Sequence, residues 1–115
     1  MSQPKIVLKL GSLCVTDAEG GVNTQKIAHI VEGIQYLRQK NFHVVVVSSG
    51  AINTGKKFIK NWNDQLQITK QQAASAVGQP LLMQAYEQAL EKIDLTPAQI
   101  LVTHDDFKFK ERFIN

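Results

Sequence analysis

The chain has 115 residues, 43% of them apolar, a formal net charge of +3 and one cysteine, Cys14. This suits one small globular domain. It excludes disordered and collagen-like classes, an intrachain disulfide, and a zinc site built on paired cysteines.

No apolar run approaches the ~18 residues of a membrane span. The opening MSQPKIVLKL lacks the basic segment, long apolar core and cleavage site of a secretory signal, so the expected compartment is the cytoplasm. His29, His43 and His104 are scattered without metal-ligand spacing. The densest basic patch, KFKER at Lys108–Arg112, is too short to argue for nucleic acid. A mildly basic balance favours a small anionic ligand.

Lys5–Leu10 (KIVLKL) is a short apolar run that stops at Gly11 and reads as a strand. Ser12–Val22, with Asp17 and Gly20-Gly21, reads as a loop or small hairpin. Asn23 or Thr24 can cap a helix. Beyond the cap, Ile27, Ile30, Val31, Ile34 and Leu37 form one apolar helical stripe, ending near Lys40-Asn41. The stripe suits a core face or a dimer surface, and core is the better reading because any helix packed on a sheet needs one.

Phe42–Val47 is a continuous apolar run, the pattern of a strand covered on both faces in a parallel sheet. Gly50 ends it, and Ala51–Phe58 reads as a short helix followed by a loop at Asn61–Gln67. Thr69–Val77 reads as helical, Gly78 as a break or bend, and Pro80 as the first turn of another helix carrying Leu82, Met83, Tyr86, Leu90 and Ile93. Gln99–Val102 (QILV) reads as a third short buried strand, and Asp105 or Asp106 as the cap of a final helix. This alternation of strands and helices predicts an α/β sandwich with right-handed crossovers. The final helix has about two turns before Asn115, a poor ending for a doubly wound domain, so the chain reads as part of something larger or as a compact three-strand domain.

In open α/β sheets ligands sit at the carboxyl ends of the strands. Two strands here end in small residues, as Lys9-Leu10-Gly11-Ser12 and Ser48-Ser49-Gly50-Ala51. Glycine lets the backbone approach a ligand, successive amides form an anion nest, and a helix starting at Ala51 adds its positive end. Lys9 adds a mobile cation. Gly50 to Lys56 also reads G-x-x-x-x-G-K, a P-loop short of its last position. Lys57 stands where a P-loop needs a hydroxyl for Mg²⁺, so the pattern fails at the metal and the match reads as a coincidence.

Four blocks, KIVLKLGSLCVT, VVVVSSGAINTG, AASAVGQPLLMQAYEQAL and AQILVTHDDFKFKERFIN, resemble the amino-acid kinase family, in order and across essentially the whole chain. The S-S-G-A and A-V-G-Q blocks resemble its glutamate-directed members rather than those acting on aspartate, acetylglutamate or UMP. The resemblance implies a three-layer α/β/α sandwich with a mainly parallel sheet. It implies ATP-dependent phosphorylation of the γ-carboxylate of L-glutamate to glutamyl 5-phosphate, the first step towards proline, with Mg²⁺ accompanying ATP. By position, Lys9 would act as the catalytic cation on the nucleotide phosphates, Gly11 and Ser12 would form the phosphate-facing turn, and Ser49, Gly50 and Ala51 would hold glutamate. Copies of the chain would associate through helices, without nucleic-acid or membrane partners.

Leu13 stands where the family more often has a second serine. The resemblance stops at Asn115, so the expected chain is the N-terminal portion of a kinase domain, with no second domain and half an active site, inactive alone. The alternatives are a non-catalytic relative that binds ligand or an intact subunit, and a P-loop-like nucleotide module.

Overall fold

The computed structural model describes residues 3–63 and 68–101. Strand β1 is Lys5–Leu10 and strand β2 is His43–Ser48. They pair in parallel, in a register running from Lys5 opposite His43 to Leu10 opposite Ser48. Among the described residues three α-helices accompany them: α1 (Thr24–Gln39), α2 (Ala51–Gly55) and α3 (Ile68–Glu91). The expected mixed α/β class with a parallel sheet is therefore present. The described residues build two of its layers.

Helix α1 begins as anticipated, with the Asn23 side chain accepting a hydrogen bond from the Lys26 amide at 3.0 Å. It ends at an Asn41 held at φ 71°, where Phe42 N–H donates to Leu37 C=O and Asn41 N–H to Arg38 C=O. That paired pattern satisfies the last carbonyls of the helix and turns the chain into β2. Ile27, Val31 and Ile34 of the predicted stripe are buried, which makes the stripe core. They join Val15, Leu82, Tyr86 and Leu90, with Leu8, Leu10, Val44 and Val46 packed against them. Each fully buried aliphatic side chain here contributes about 1.5–3 kcal/mol relative to exposure.

Three expectations need correction. The run at Phe42–Val47 is not covered on both faces among the described residues. In β1 and β2 exposure alternates, and Val7, Val45 and Val47 are 62%, 49% and 50% exposed. Both helices that feed the core lie on one face, so among the described residues the opposite side of each strand is uncovered.

The break at Gly78 and the new start at Pro80 do not occur, because α3 runs unbroken through both. Proline in a helix interior costs about 3 kcal/mol, but buried Ala74, Gly78, Leu82, Tyr86 and Leu90 recur every fourth residue on either side of it. That continuous packed stripe outweighs the lost hydrogen bond. The predicted third strand is absent over its described residues 99–101, where Ile100 is 82% exposed. Its last residue, Val102, and the predicted final helix lie outside the described residues, as does most of the loop expected at Asn61–Gln67.

The loop after β1 is a small hairpin, as one of the two expected forms. A 3-10 turn at Ser12–Cys14 leads into an isolated antiparallel bridge between Thr16 and Val22. Among the described residues no helix is long and apolar enough to cross a membrane.

Candidate functional site

The two strand tips are joined directly. Ser49 N–H donates to Leu10 C=O at 2.9 Å, extending the parallel ladder one residue past β2. The turn at Gly11-Ser12 and the turn at Ser49-Gly50-Ala51 therefore lie side by side at the carboxyl end of the sheet. Lys9 stands opposite Val47 in the register, and both are exposed on the face away from the helices. Ser49, two residues beyond Val47, is exposed too. The Lys9 ammonium has no hydrogen bond or ion pair among the described residues.

The two glycines do different work. Gly11 has φ −69°, which any residue adopts, but a Cβ built on it meets nothing within 4 Å. Its role in the fold is to leave the backbone open on that side. Gly50 is at φ 119°, and a Cβ there would lie 2.8 Å from Val15 Cγ2. Only glycine fits that turn without strain. A positive φ is thus required at Gly50 and not at Gly11. Ser12 opens the 3-10 turn, and its carbonyl accepts the Thr16 hydroxyl at 2.8 Å. Ala51 begins α2, which extends only five residues before a 3-10 turn at Lys56–Phe58.

The hairpin is latched onto α2. Asn53 Nδ2 donates to Thr16 Oγ1 at 2.6 Å and to Asp17 C=O at 2.8 Å, and Gly21 N–H donates to Asn53 C=O at 3.0 Å. From α1, Lys26 Nζ donates to the carbonyls of Leu13 and Thr16, both at 2.9 Å. The loop behind the first tip is thus held both by Lys26 of α1 and by Asn53, which follows the second tip. Nothing local in the sequence marked Thr16 and Asn53 as partners, since they lie 37 residues apart.

The G-x-x-x-x-G-K pattern resolves into three separate roles. Gly50 makes the left-handed turn. Gly55 packs backbone to backbone against Ala74 and Gly78 of α3. Lys56 Nζ reaches back to Ala18 C=O at 3.3 Å, so its ammonium serves the hairpin.

A second polar chain lies beneath the tips. Ser48 Oγ donates to Ser49 C=O at 2.9 Å and lies 2.8 Å from Tyr86 Oη. The serine hydroxyl has one proton. With that proton on Ser49, Tyr86 is the donor to Ser48. Burial raises the Tyr86 pKa above its ordinary value. The sequence marked Tyr86 only as one apolar member of a helix stripe. The lone polar atom on that stripe was the available signal.

The arrangement offers a cation, an exposed hydroxyl and open backbone to a ligand with negatively charged oxygens. Among the described residues no group of three His, Cys, Asp or Glu side chains is placed to hold a metal ion.

Comparison with known proteins agrees with this architecture. The model of the Amino acid kinase family matches residues 4–114. The chain is 41% identical over 111 residues to a glutamate 5-kinase of Trichlorobacter lovleyi, covering 96% of this chain and 30% of that protein. It is 41% identical over 115 residues to a glutamate 5-kinase of Geobacillus kaustophilus, covering 100% and 31%. Against glutamate 5-kinase 1 of Bacillus subtilis it is 36% identical over 115 residues, covering 100% and 32%. The chain spans about a third of the length of these curated relatives. With the family model matching nearly every residue and the parallel strand tips in place, the chain belongs to the amino acid kinase family.

Proposed function

We propose that the chain is the N-terminal portion of a single amino-acid kinase domain that phosphorylates the γ-carboxylate of L-glutamate with ATP, giving glutamyl 5-phosphate as a step towards proline. The observation that carries this reading is the hydrogen bond from Ser49 N–H to Leu10 C=O. It sets a turn suited to phosphates beside a turn suited to an amino-acid substrate. Lys9 is the residue we assign to the transferring phosphoryl group. Phosphoryl transfer is accelerated mainly by positioning and by positive charge on the developing oxyanion, without a covalent nucleophile.

The residues present fit the nucleotide's phosphates. The Lys9 ammonium is free of partners among the described residues, and Gly11 leaves room for an oxygen to reach the backbone. Ser12 completes that turn, and Ser49, Gly50 and Ala51 form the glutamate side. Mg²⁺ would arrive with ATP and neutralise part of its charge.

The test is a chimera in which this chain replaces the matching segment of the Bacillus subtilis relative, assayed for ATP-dependent phosphorylation of glutamate. Lys9→Ala is expected to lower the rate by about 10³-fold, as loss of a key electrostatic contact does, and Lys56→Ala by less than about threefold. Gly11→Ala, whose added methyl meets no neighbour, is expected to leave folding intact and weaken ATP binding. A fully active Lys9→Ala chimera, or a Lys56→Ala chimera that alone loses ATP, would refute the reading. Binding of glutamate by the chain with no turnover in the chimera would favour a non-catalytic relative.

A further inference from the structure

We infer that Tyr86 is a positioning residue for the acceptor substrate, acting through Ser48 to fix the peptide that joins Ser49 to Gly50. This rests on the glutamate reading above and assigns that site a control element on a distant helix.

The geometry is a three-link chain. Tyr86 Oη donates to Ser48 Oγ at 2.8 Å, and Ser48 Oγ donates to Ser49 C=O at 2.9 Å. On the other side, Ser49 N–H is bound to Leu10 C=O at 2.9 Å. Ser49 is therefore held at both of its backbone groups, while its exposed side chain makes no hydrogen bond among the described residues.

A peptide unit is planar, and every one among the described residues is trans. In a trans unit the C=O and the following N–H point in opposite directions. Fixing Ser49 C=O towards Ser48 thus fixes Gly50 N–H towards the opposite side. That N–H donates to no described group. It is the kind of backbone donor that a carboxylate uses.

The chain is stiff at its far end. Tyr86 is 5% exposed and packed in the core with Leu82 and Leu90, so its ring has little freedom. The Ser49–Gly50 turn consequently inherits its orientation from α3. Gly50 C=O is itself held by Thr54 N–H at 2.8 Å, so the Ser48 bond fixes what freedom remains in the peptide before it, and an unfixed peptide there would present its N–H to the ligand only part of the time.

The experiment uses the chimera described above and compares it unsubstituted with its Tyr86→Phe, Ser48→Ala and double variants. Tyr36→Phe, on the exposed side of α1, is the control. Glutamate and ATP are titrated separately by calorimetry, and amide hydrogen exchange is followed at Gly50. Loss of one such hydrogen bond is expected to weaken glutamate binding about five- to tenfold in Tyr86→Phe and in Ser48→Ala. ATP affinity is expected to stay the same, Gly50 exchange to quicken, and the double variant to bind glutamate no more weakly than Ser48→Ala alone.

Unchanged glutamate affinity in Tyr86→Phe overturns the inference. So does an equal loss for both ligands with a lowered melting temperature, since that marks a purely structural role. If the unsubstituted chimera takes up no glutamate, the substrate reading fails, and the Gly50 exchange rate decides the positioning claim separately. Faster exchange in Tyr86→Phe then supports it and unchanged exchange refutes it.

Discussion

Gly55 and Gly78 touch backbone to backbone where α2 crosses α3. A Cβ on Gly78 would lie 1.8 Å from Ala51 C=O oxygen and 2.7 Å from Gly55 N, and a Cβ on Gly55 would lie 1.8 Å from Ala74 C=O oxygen. Each helix supplies a small residue and a glycine four positions apart, Ala51 with Gly55 and Ala74 with Gly78. Only such a pairing brings two helix backbones this close. The crossing anchors the helix that follows the Ser49-Gly50 turn, so the shape of the candidate site depends on it.

Alanine at Gly55 or Gly78 is therefore expected to destabilise the protein by about 2–3 kcal/mol, the usual cost of forcing packed elements apart. Alanine at Gly33, an exposed position of α1 with nothing within 4 Å of the added methyl, is expected to stabilise by about 0.5–1 kcal/mol through helix propensity. Urea unfolding of the three variants checks this. The same substitution giving the same sign at all three positions would contradict the crossing.

Thr54 is 2% exposed, and its hydroxyl has no hydrogen-bond partner among the described residues. A buried, unpaired hydroxyl costs roughly 1–3 kcal/mol. Thr54→Val keeps the shape and removes the polar atom. It is expected to raise stability by about 1 kcal/mol, read as a higher urea midpoint with an unchanged slope. A midpoint lowered by a similar amount would show that the hydroxyl is satisfied.

Tyr86 makes stability depend on alkaline pH. Its pKa is raised in the folded state, chiefly by burial, so the native chain keeps the phenol proton where the unfolded chain, with a tyrosine pKa of about 10, has released it. The stability tied to this group is complete below pH ~10 and is lost as pH rises through the native value, at up to about 1.4 kcal/mol per pH unit. Tyr86→Phe removes this dependence. The stability gap between the unsubstituted chain and Tyr86→Phe, measured by urea unfolding from about pH 8 to about pH 11, is expected to narrow above pH 10. A constant gap would place the Tyr86 ionisation outside the folding equilibrium.

Most of the local architecture was legible in the residues. The stripe from Ile27 to Leu37 announced α1, Asn23 announced its cap, and KIVLKL with its terminal glycine announced β1 and the first strand tip. Gly50 was legible as a turn glycine, which its φ of 119° bears out. The errors share one cause. Gly78 and Pro80 are strong local signals for a helix break, and they were overruled by packing against a helix more than twenty residues earlier. QILV has the composition of a buried strand, yet Ile100 and Leu101 stand exposed among the described residues, because composition cannot say whether a partner strand is adjacent.

The sequence by itself determined the family, the order of the elements from β1 to α2, and the small residues at the two strand tips. It could do so because hydrophobic periodicity and turn chemistry act over a few neighbouring residues. The tertiary structure alone decided that Gly55 is a helix contact, that Lys56 is bound to Ala18, and that the Tyr86 hydroxyl lies against Ser48. Those facts are distances between groups 19 to 38 residues apart. They exist only once the chain has closed on itself, when a hydroxyl or an ammonium leaving water takes the nearest acceptor in space and not in sequence.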